Sequence, residues 1–232
     1  MISRRRFLFA SAVLATALSS LASAAEAGTA LHTLYLVRHG MYDSEKGADE
    51  KTGNPLNALG REQTGFVAAR LAALPVKFDA VISSEFTRAR ETGDMIAAKL
   101  GTKCARDALL NESVPRGDGL VGLPISGAEA QFDAAWAHYS KPTPYAPRQD
   151  VLACHGDVIR WFVCRALGVD TFQWTRMRIA NASLTVITIR PDGTALLMMF
   201  NDTSHVPLEK QTWSATNAPF WPSAPATAAQ KK

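Results

Sequence analysis

The chain has 232 residues, 47% of them hydrophobic, and a formal net charge of +4. That length suits one domain with appendages, and the apolar content is enough for a sizeable core, which excludes a disordered or fibrous chain. Removing residues 1–27 takes out Arg4, Arg5, Arg6 and Glu26 and leaves 22 basic against 20 acidic side chains, a balance of +2 with no charge run that suggests nucleic acid.

The first segment is an expected export signal over residues 1–27. Arg4, Arg5 and Arg6 precede an apolar stretch from Phe7 to Leu21. Ala22-Ser23-Ala24 and Ala25-Glu26-Ala27 then offer small-x-small cleavage patterns. Ser3-Arg4-Arg5-Arg6-Phe7-Leu8 resembles the twin-arginine signal, which a receptor reads as an address. The stretch is shorter than the ~20 residues a membrane span needs. The expectation is a bacterial periplasmic or secreted protein, cleaved near residue 24 or 27, with the export machinery as a partner and no stable span in the mature form. An uncleaved anchor or a start codon set too far upstream are the competing accounts.

Residues 28–214 alternate between strand and helix patterns. Thr33–Val37 is a continuous apolar run, the mark of a strand buried on both faces. Met41–Pro55 reads as a surface loop. Asn57 is placed to cap a helix whose face carries Leu59, Phe66, Leu71 and Leu74. Asp79–Ser83 predicts a strand, and Thr87–Leu100 a helix closed by Gly101. A short strand is expected at Ala108–Leu110. Ser113–Ser126, with three glycines and two prolines, predicts a long loop. Ala128–Tyr139 predicts a helix, Val151–Cys154 a strand, and Val158–Leu167 a helix closed by Gly168. Leu184–Ile189 and Ala195–Phe200, joined by Pro191-Asp192-Gly193, predict an antiparallel hairpin. Residues 215–232 are an Ala/Pro-rich tail expected to be disordered.

This alternation predicts an α/β fold, a three-layer α/β/α sandwich around a mostly parallel sheet. Ligands gather at the carboxyl ends of strands in such sheets. Arg38-His39, Ser83-Ser84 with Arg88, Glu112, and His155-Gly156 each follow one of the four expected strands. Two arginines and two histidines on one edge make a cationic pocket suited to a phosphate monoester, because Arg recognises phosphate oxygens in a planar fork. No Asp/Glu/His cluster has metal-ligand spacing, so neither metal nor cofactor is expected. Cys104, Cys154 and Cys164 also lack it; Cys154 and Cys164 read as buried thiols, and one disulfide stays open. Arg90, His32 and His138 read as surface residues, Trp136, Trp161 and Trp174 as core. Asp157 is a helix-cap candidate, and His205 belongs equally to the pocket or to structure.

Several segments together resemble the histidine phosphatase (phosphoglycerate-mutase-like) superfamily. They are Leu36-Val37-Arg38-His39-Gly40, Pro55 to Gly60, Ser83-Ser84 with Thr87 to Thr92, Cys154-His155-Gly156 and Asn201 to His205. His155 to Leu167 and Ile189 to Gly193, with Lys77-Phe78-Asp79 and Leu109 to Glu112, are similar to its mitochondrial serine/threonine phosphatase branch. The resemblance implies a phosphatase acting on phosphate monoesters, with a phosphorylated small molecule or phosphoprotein as substrate. It implies His39 as nucleophile, Arg38, Arg88 and His155 as phosphate ligands, and Glu112 as general acid and base. A carboxyl with that role must sit away from the arginines or be buried. The alternatives are a mutase-type phosphotransferase and a non-catalytic binding protein on the same fold.

Overall fold

The run of apolar residues that opens the domain becomes the strand at the middle of a six-stranded sheet. The computed structural model describes residues 30–43, 52–113, 127–143 and 145–213. The expected signal at 1–27 and the tail at 215–232 lie outside these residues, as do parts of the two long loops. In chain order the elements are β1 (His32–Arg38), α1 (Ala58–Ala72), β2 (Ala80–Ser83), α2 (Thr87–Leu100), β3 (Cys104–Arg106), α3 (Gly127–Tyr139), β4 (Arg148–Cys154), α4 (Gly156–Leu167), β5 (Leu184–Ile189) and β6 (Ala195–Asp202). No helix among the described residues is long and apolar enough to cross a membrane.

The sheet order is β3-β2-β4-β1-β5-β6. The first four strands run parallel, and β5 and β6 add an antiparallel margin. Successive side chains of β1 point to opposite faces, and both faces are covered. Leu34 and Leu36 pack with Leu152 against Phe132 of α3 and Ile159 and Phe162 of α4. Tyr35 and Val37 pack with Val81 and Val151 against Val67 and Leu71 of α1 and Ile96 of α2. The expected three-layer sandwich is therefore present. Each large side chain so buried contributes roughly 1.5–3 kcal/mol. At the hairpin, Gly193 adopts φ +84°, and Asp192 accepts hydrogen bonds from both the N–H and the hydroxyl of Thr194.

Two expectations are corrected. Ala108–Leu110 is a 3-10 turn, not a strand; the strand is Cys104–Arg106. Asp107 caps the turn by accepting from Leu109 N–H, and it also accepts from the Tyr139 hydroxyl. Side-chain capping of this kind draws the backbone away from a ladder. The edge strand is mostly exposed and has no apolar alternation to betray it. His32 is not a surface residue: it is buried, with Nε2 2.9 Å from Asp150 Oδ2 and Nδ1 2.8 Å from the Lys141 carbonyl. Arg148 Nε also donates to that Asp150 oxygen, at 2.7 Å.

Glycine holds the loop after β1 against α1. A Cβ on Gly60 would collide with the backbone of Met41, and one on Gly40 with the carbonyl of Gly60. Backbone is packed on backbone there, and neither side can yield. Gly65, on the same helix, faces open space. Opposite signs follow for one substitution. Gly65→Ala is expected to stabilise by about 0.5–1 kcal/mol, as alanine normally does in an exposed helix interior. Gly60→Ala is expected to destabilise by roughly 1–3 kcal/mol or more through overpacking. Urea unfolding of the pair checks this, and a neutral Gly60→Ala would show that the close approach is absent.

Candidate active site

Parallel pairing of β1 with β4 sets Arg38 opposite Cys154, so His39 and His155 leave the sheet side by side. The His39 N–H bonds the Cys154 carbonyl at 3.0 Å, and the two imidazole centroids are 5.1 Å apart. Both rings are fully buried. Arg88, in the first turn of α2, reaches in from the neighbouring strand end and is 4% exposed. Its Nε donates to His39 Nε2 at 3.3 Å, its NH2 pairs with Glu112, and its guanidinium lies over the rings of Tyr42 and Phe86. The structure thus brings Arg38, His39, Arg88, Glu112 and His155 together.

The hydrogen bonds fix the tautomers. His39 Nδ1 lies 2.8 Å from the Gly40 carbonyl and so carries the proton. That leaves a lone pair on Nε2, the atom facing Arg88. Burial, then Arg38, His155 and Arg88, hold His39 well below the ordinary histidine range, so the ring is neutral. Its main chain is fixed as well, since the His39 carbonyl accepts from Ala182 N–H and Asn181 Nδ2. On the other ring, Ser84 gives its one hydroxyl proton to Asn111 Oδ1. The Ser84 oxygen must therefore accept from His155 Nε2, 2.9 Å away. Burial, then Arg88 and Arg38, also hold His155 well below its usual range. Its Nδ1 is buried with no hydrogen-bond partner and lies 3.7 Å from Glu112 Oε1.

Arg38 is anchored through NH1 to the carbonyls of Ile179 and Trp213, while its Nε is buried without a partner. Desolvation by burial pulls this guanidinium down to about 10, which leaves it charged at neutral pH. Glu112 meets neither condition set for it by the sequence. Its side chain is 39% exposed and sits against Arg88. Among the described residues, His39, Glu112 and His155 also bring three ligand-capable atoms within 4.8 Å of one another. Sequence spacing hid this group because its members come from three separate segments, the loops after β1 and β4 and the one after the Ala108–Leu110 turn.

Asp157 is the residue that sequence reasoning undervalued. It is not the cap of α4, a place held by His155, but lies two residues further on. Its Oδ2 accepts from Ser113 N–H at 2.9 Å and its Oδ1 from Val158 N–H at 3.0 Å, tying the segment that carries Glu112 to the helix after His155. Burial, then the Glu112 carboxylate, lift its carboxyl to about 7. A folded-state value raised above the ordinary 3.8 means the folded chain keeps a proton that the unfolded chain loses. Stability from this group is therefore lost as pH rises from about 4 to about 7. The Asp157→Asn variant is expected to gain on the parent across that window; His39 and His155 titrate in both proteins and cancel. Urea midpoints at pH 5 and pH 8 measure the gap, and a gap independent of pH would contradict the assignment.

Other side chains fall outside the cluster. Arg90 is exposed. His205 Nε2 lies 2.9 Å from the Ala182 carbonyl, under the loop that holds His39. Trp161 and Trp174 are buried, Trp136 packs beside them, and all three cysteines are free.

With this geometry in place, the known proteins that resemble the chain can be compared. The family model "Histidine phosphatase superfamily (branch 1)" matches residues 34–150 and 143–202. The mitochondrial serine/threonine-protein phosphatase PGAM5 of Xenopus tropicalis is 33% identical over 188 residues, 76% of this chain and 66% of that protein. The human protein of the same name is 34% identical over 192 residues, 78% of this chain and 66% of that one. The chain thus spans 66% of the length of these relatives. Among solved structures, phosphoglycerate mutase from Plasmodium falciparum shares the fold, with a TM-score of 0.56 at 24% identity over 78% of this chain and 96% of that one.

These relatives overturn the expected bacterial periplasmic or secreted location. They are mitochondrial proteins of animals, and the stretch on which that expectation rested lies outside the described residues. The physical reason is that an arginine-rich, serine-containing, acid-poor leader is a composition shared by more than one targeting system. The chain belongs to the histidine phosphatase superfamily, branch 1.

Proposed function

We propose that this protein hydrolyses phosphate monoesters through a phosphohistidine on His39 Nε2, without a metal ion. The observation that carries this reading is the pair of buried polar atoms left without partners, Arg38 Nε and His155 Nδ1, in the same cluster as a neutral His39. A buried polar atom without a partner costs roughly 1–3 kcal/mol. A bound phosphate supplies an acceptor for Arg38 Nε directly, and for His155 Nδ1 once that atom is protonated.

His39 Nε2 attacks phosphorus in line, and the P–N bond forms as the ester P–O bond breaks. Arg38 and Arg88 hold the non-bridging oxygens. His155 already donates through Nε2 to Ser84, so it contacts phosphate by taking the proton of the bound monoester monoanion onto Nδ1, where the resulting dianion stabilises the imidazolium. Drawn onto the phosphate, Arg88 releases the Glu112 carboxylate, which takes a proton from solvent and gives it to the leaving oxygen. The same carboxylate then takes a proton from water, the water oxygen attacks phosphorus, and inorganic phosphate leaves with His39 neutral again. The guanidiniums beside His39, Glu112 and His155 disfavour a divalent cation there by charge repulsion. The names of the relatives make phosphoserine and phosphothreonine the first substrates to test.

Purified protein assayed with p-nitrophenyl phosphate, with and without EDTA, tests the proposal. Release of nitrophenol at the same rate in both is expected. A rate no higher than background ends the hydrolase reading, and a rate abolished by EDTA and restored by a divalent metal ends the metal-free one.

A further inference from the structure

The loop that carries His39 is gripped at two backbone atoms, the His39 carbonyl oxygen and the Met41 nitrogen, and a chain of side chains joins the two grips. The Met41 N–H donates to Gln63 Oε1 at 2.9 Å. Gln63 Nε2 donates to Thr212 Oγ1 at 3.0 Å and to the Lys210 carbonyl at 2.6 Å. Thr212 Oγ1 donates to Asn181 Oδ1 at 3.0 Å, and Asn181 Nδ2 donates to the His39 carbonyl at 3.3 Å. Gln63 lies on α1, Asn181 just before β5, and Thr212 in the C-terminal segment. None of the three is more than 4% exposed. Nothing in the hydrolytic mechanism uses Gln63 or Thr212.

The polarity of the two backbone groups orients every link. A backbone N–H only donates, so Gln63 turns its oxygen to Met41 and its nitrogen to Thr212. The Thr212 hydroxyl accepts there and has one proton left, which goes to Asn181 Oδ1. That turns the Asn181 nitrogen toward the His39 carbonyl, which only accepts. The gripped atoms belong to the two peptide groups on either side of Gly40. The Met41 N–H shares its plane with the Gly40 carbonyl, the acceptor that keeps the His39 proton on Nδ1. Holding the N–H therefore aims that carbonyl. Ala182, next after Asn181, adopts φ +52° and gives its own N–H to the His39 carbonyl. A residue with a Cβ adopts that conformation at a cost, which persists where the surroundings enforce it.

We infer that Gln63, Thr212 and Asn181 are positioning residues for the nucleophile: their relay holds both peptide planes beside Gly40, and so keeps the His39 ring in one tautomer with Nε2 aimed at phosphorus. The inference rests on the reading of His39 as the nucleophile. It makes the rate of phosphoryl transfer depend on one hydroxyl of the C-terminal segment. Phosphate binding does not depend on it. Arg38 is anchored to the carbonyls of Ile179 and Trp213, which the Thr212 hydroxyl does not touch. The segment itself is docked through its main chain, where the Thr212 carbonyl accepts from Asn181 N–H at 2.7 Å.

The test compares Thr212→Val, which keeps the shape and removes the hydroxyl, with Thr212→Ser, which keeps the hydroxyl, both in the full chain. Three quantities are read on folded protein. They are the single-turnover rate at which p-nitrophenyl phosphate phosphorylates the enzyme, the Ki of inorganic phosphate, and the ¹⁵N signals of the His39 ring, assigned by their absence in His39→Ala. Thr212→Val is expected to slow phosphorylation by roughly tenfold to a hundredfold, as a small misplacement of a reacting group does, with the Ki within about twofold of the parent. Its Nδ1 and Nε2 signals are expected to move toward each other as the second tautomer appears. Thr212→Ser is expected to restore all three to the parent values. Thr188→Val removes a buried hydroxyl that bonds Thr33 near the amino end of β1, and is expected to lower stability at the parent rate. Gln63→Met breaks the relay at Met41 and is expected to match Thr212→Val, in whose place it stands should that variant not fold. A Thr212→Val protein with the parent rate and parent ring signals overturns the inference. Equal slowing in Thr212→Ser overturns it too, by making volume the cause, as does a Ki that rises with the loss of rate, by making displacement of Arg38 the cause. If the parent hydrolyses no ester, the phosphatase reading has failed, and the ring signals alone decide whether the relay sets His39.

Discussion

Replacing His39 by alanine is expected to lower kcat toward p-nitrophenyl phosphate by on the order of 10⁴-fold or more, because the covalent route then has no nucleophile. The neighbouring groups cannot substitute for it. His155 Nε2 is taken by Ser84, and its Nδ1 is the phosphate contact in the same scheme. The loop itself should survive the change, since Cys154, Ala182 and Asn181 still hold its main chain and only the Gly40 carbonyl loses the imidazole. Two measurements separate loss of chemistry from loss of fold. Urea unfolding of His39→Ala should stay cooperative. Rapid quenching of the parent with a ³²P-labelled ester should trap an acid-labile, base-stable label that the variant lacks. A variant that keeps the parent rate would remove His39 from the mechanism.

The Glu112→Gln variant should show an effect that depends on the leaving group. General acid catalysis contributes typically 10²–10⁴-fold where the leaving oxygen needs a proton, as in an alkyl or serine ester. Nitrophenolate leaves without one, so its release should fall far less in the first half-reaction. Glutamine keeps the shape and can still accept from Arg88, so positioning is preserved while proton transfer is lost. Comparing kcat/KM for O-phosphoserine and p-nitrophenyl phosphate in parent and variant gives the answer. An equal loss on both esters would mean that Glu112 serves only as the resting partner of Arg88.

The parts of the molecule that were legible in the sequence are those written in one short stretch. The bounds of α2 and β5 follow from local pattern alone, because a helix with Gly101 at its end and a strand buried at all six positions carry their own punctuation. The convergence of Arg38, His39, Arg88 and His155 was legible too, since chain order and strand ends determine it in a parallel sheet. Relations between distant side chains were not. The Ser84–Asn111 hydrogen bond that sets the His155 tautomer joins residues 27 positions apart. The Arg88–Glu112 contact, the stack on Tyr42 and the burial of Asp157 likewise have no local signature. His32 was misread because polarity alone suggested exposure, whereas Asp150 and Lys141 supply it with buried partners from more than 100 residues away.

The register that joins β1 to β4 has a consequence for how activity is acquired. His39 and His155 are separated by 116 positions in the chain, and they meet only when these two strands have paired over their full length. Closing so long a loop carries an entropic cost that local contacts cannot offset, and parallel pairing of distant strands is intrinsically slow. The helices and the β5–β6 hairpin can form earlier, from neighbours in sequence. A refolding chain will therefore regain secondary structure before it regains any competence for phosphoryl transfer, and the return of turnover will time the closure of the sheet's centre.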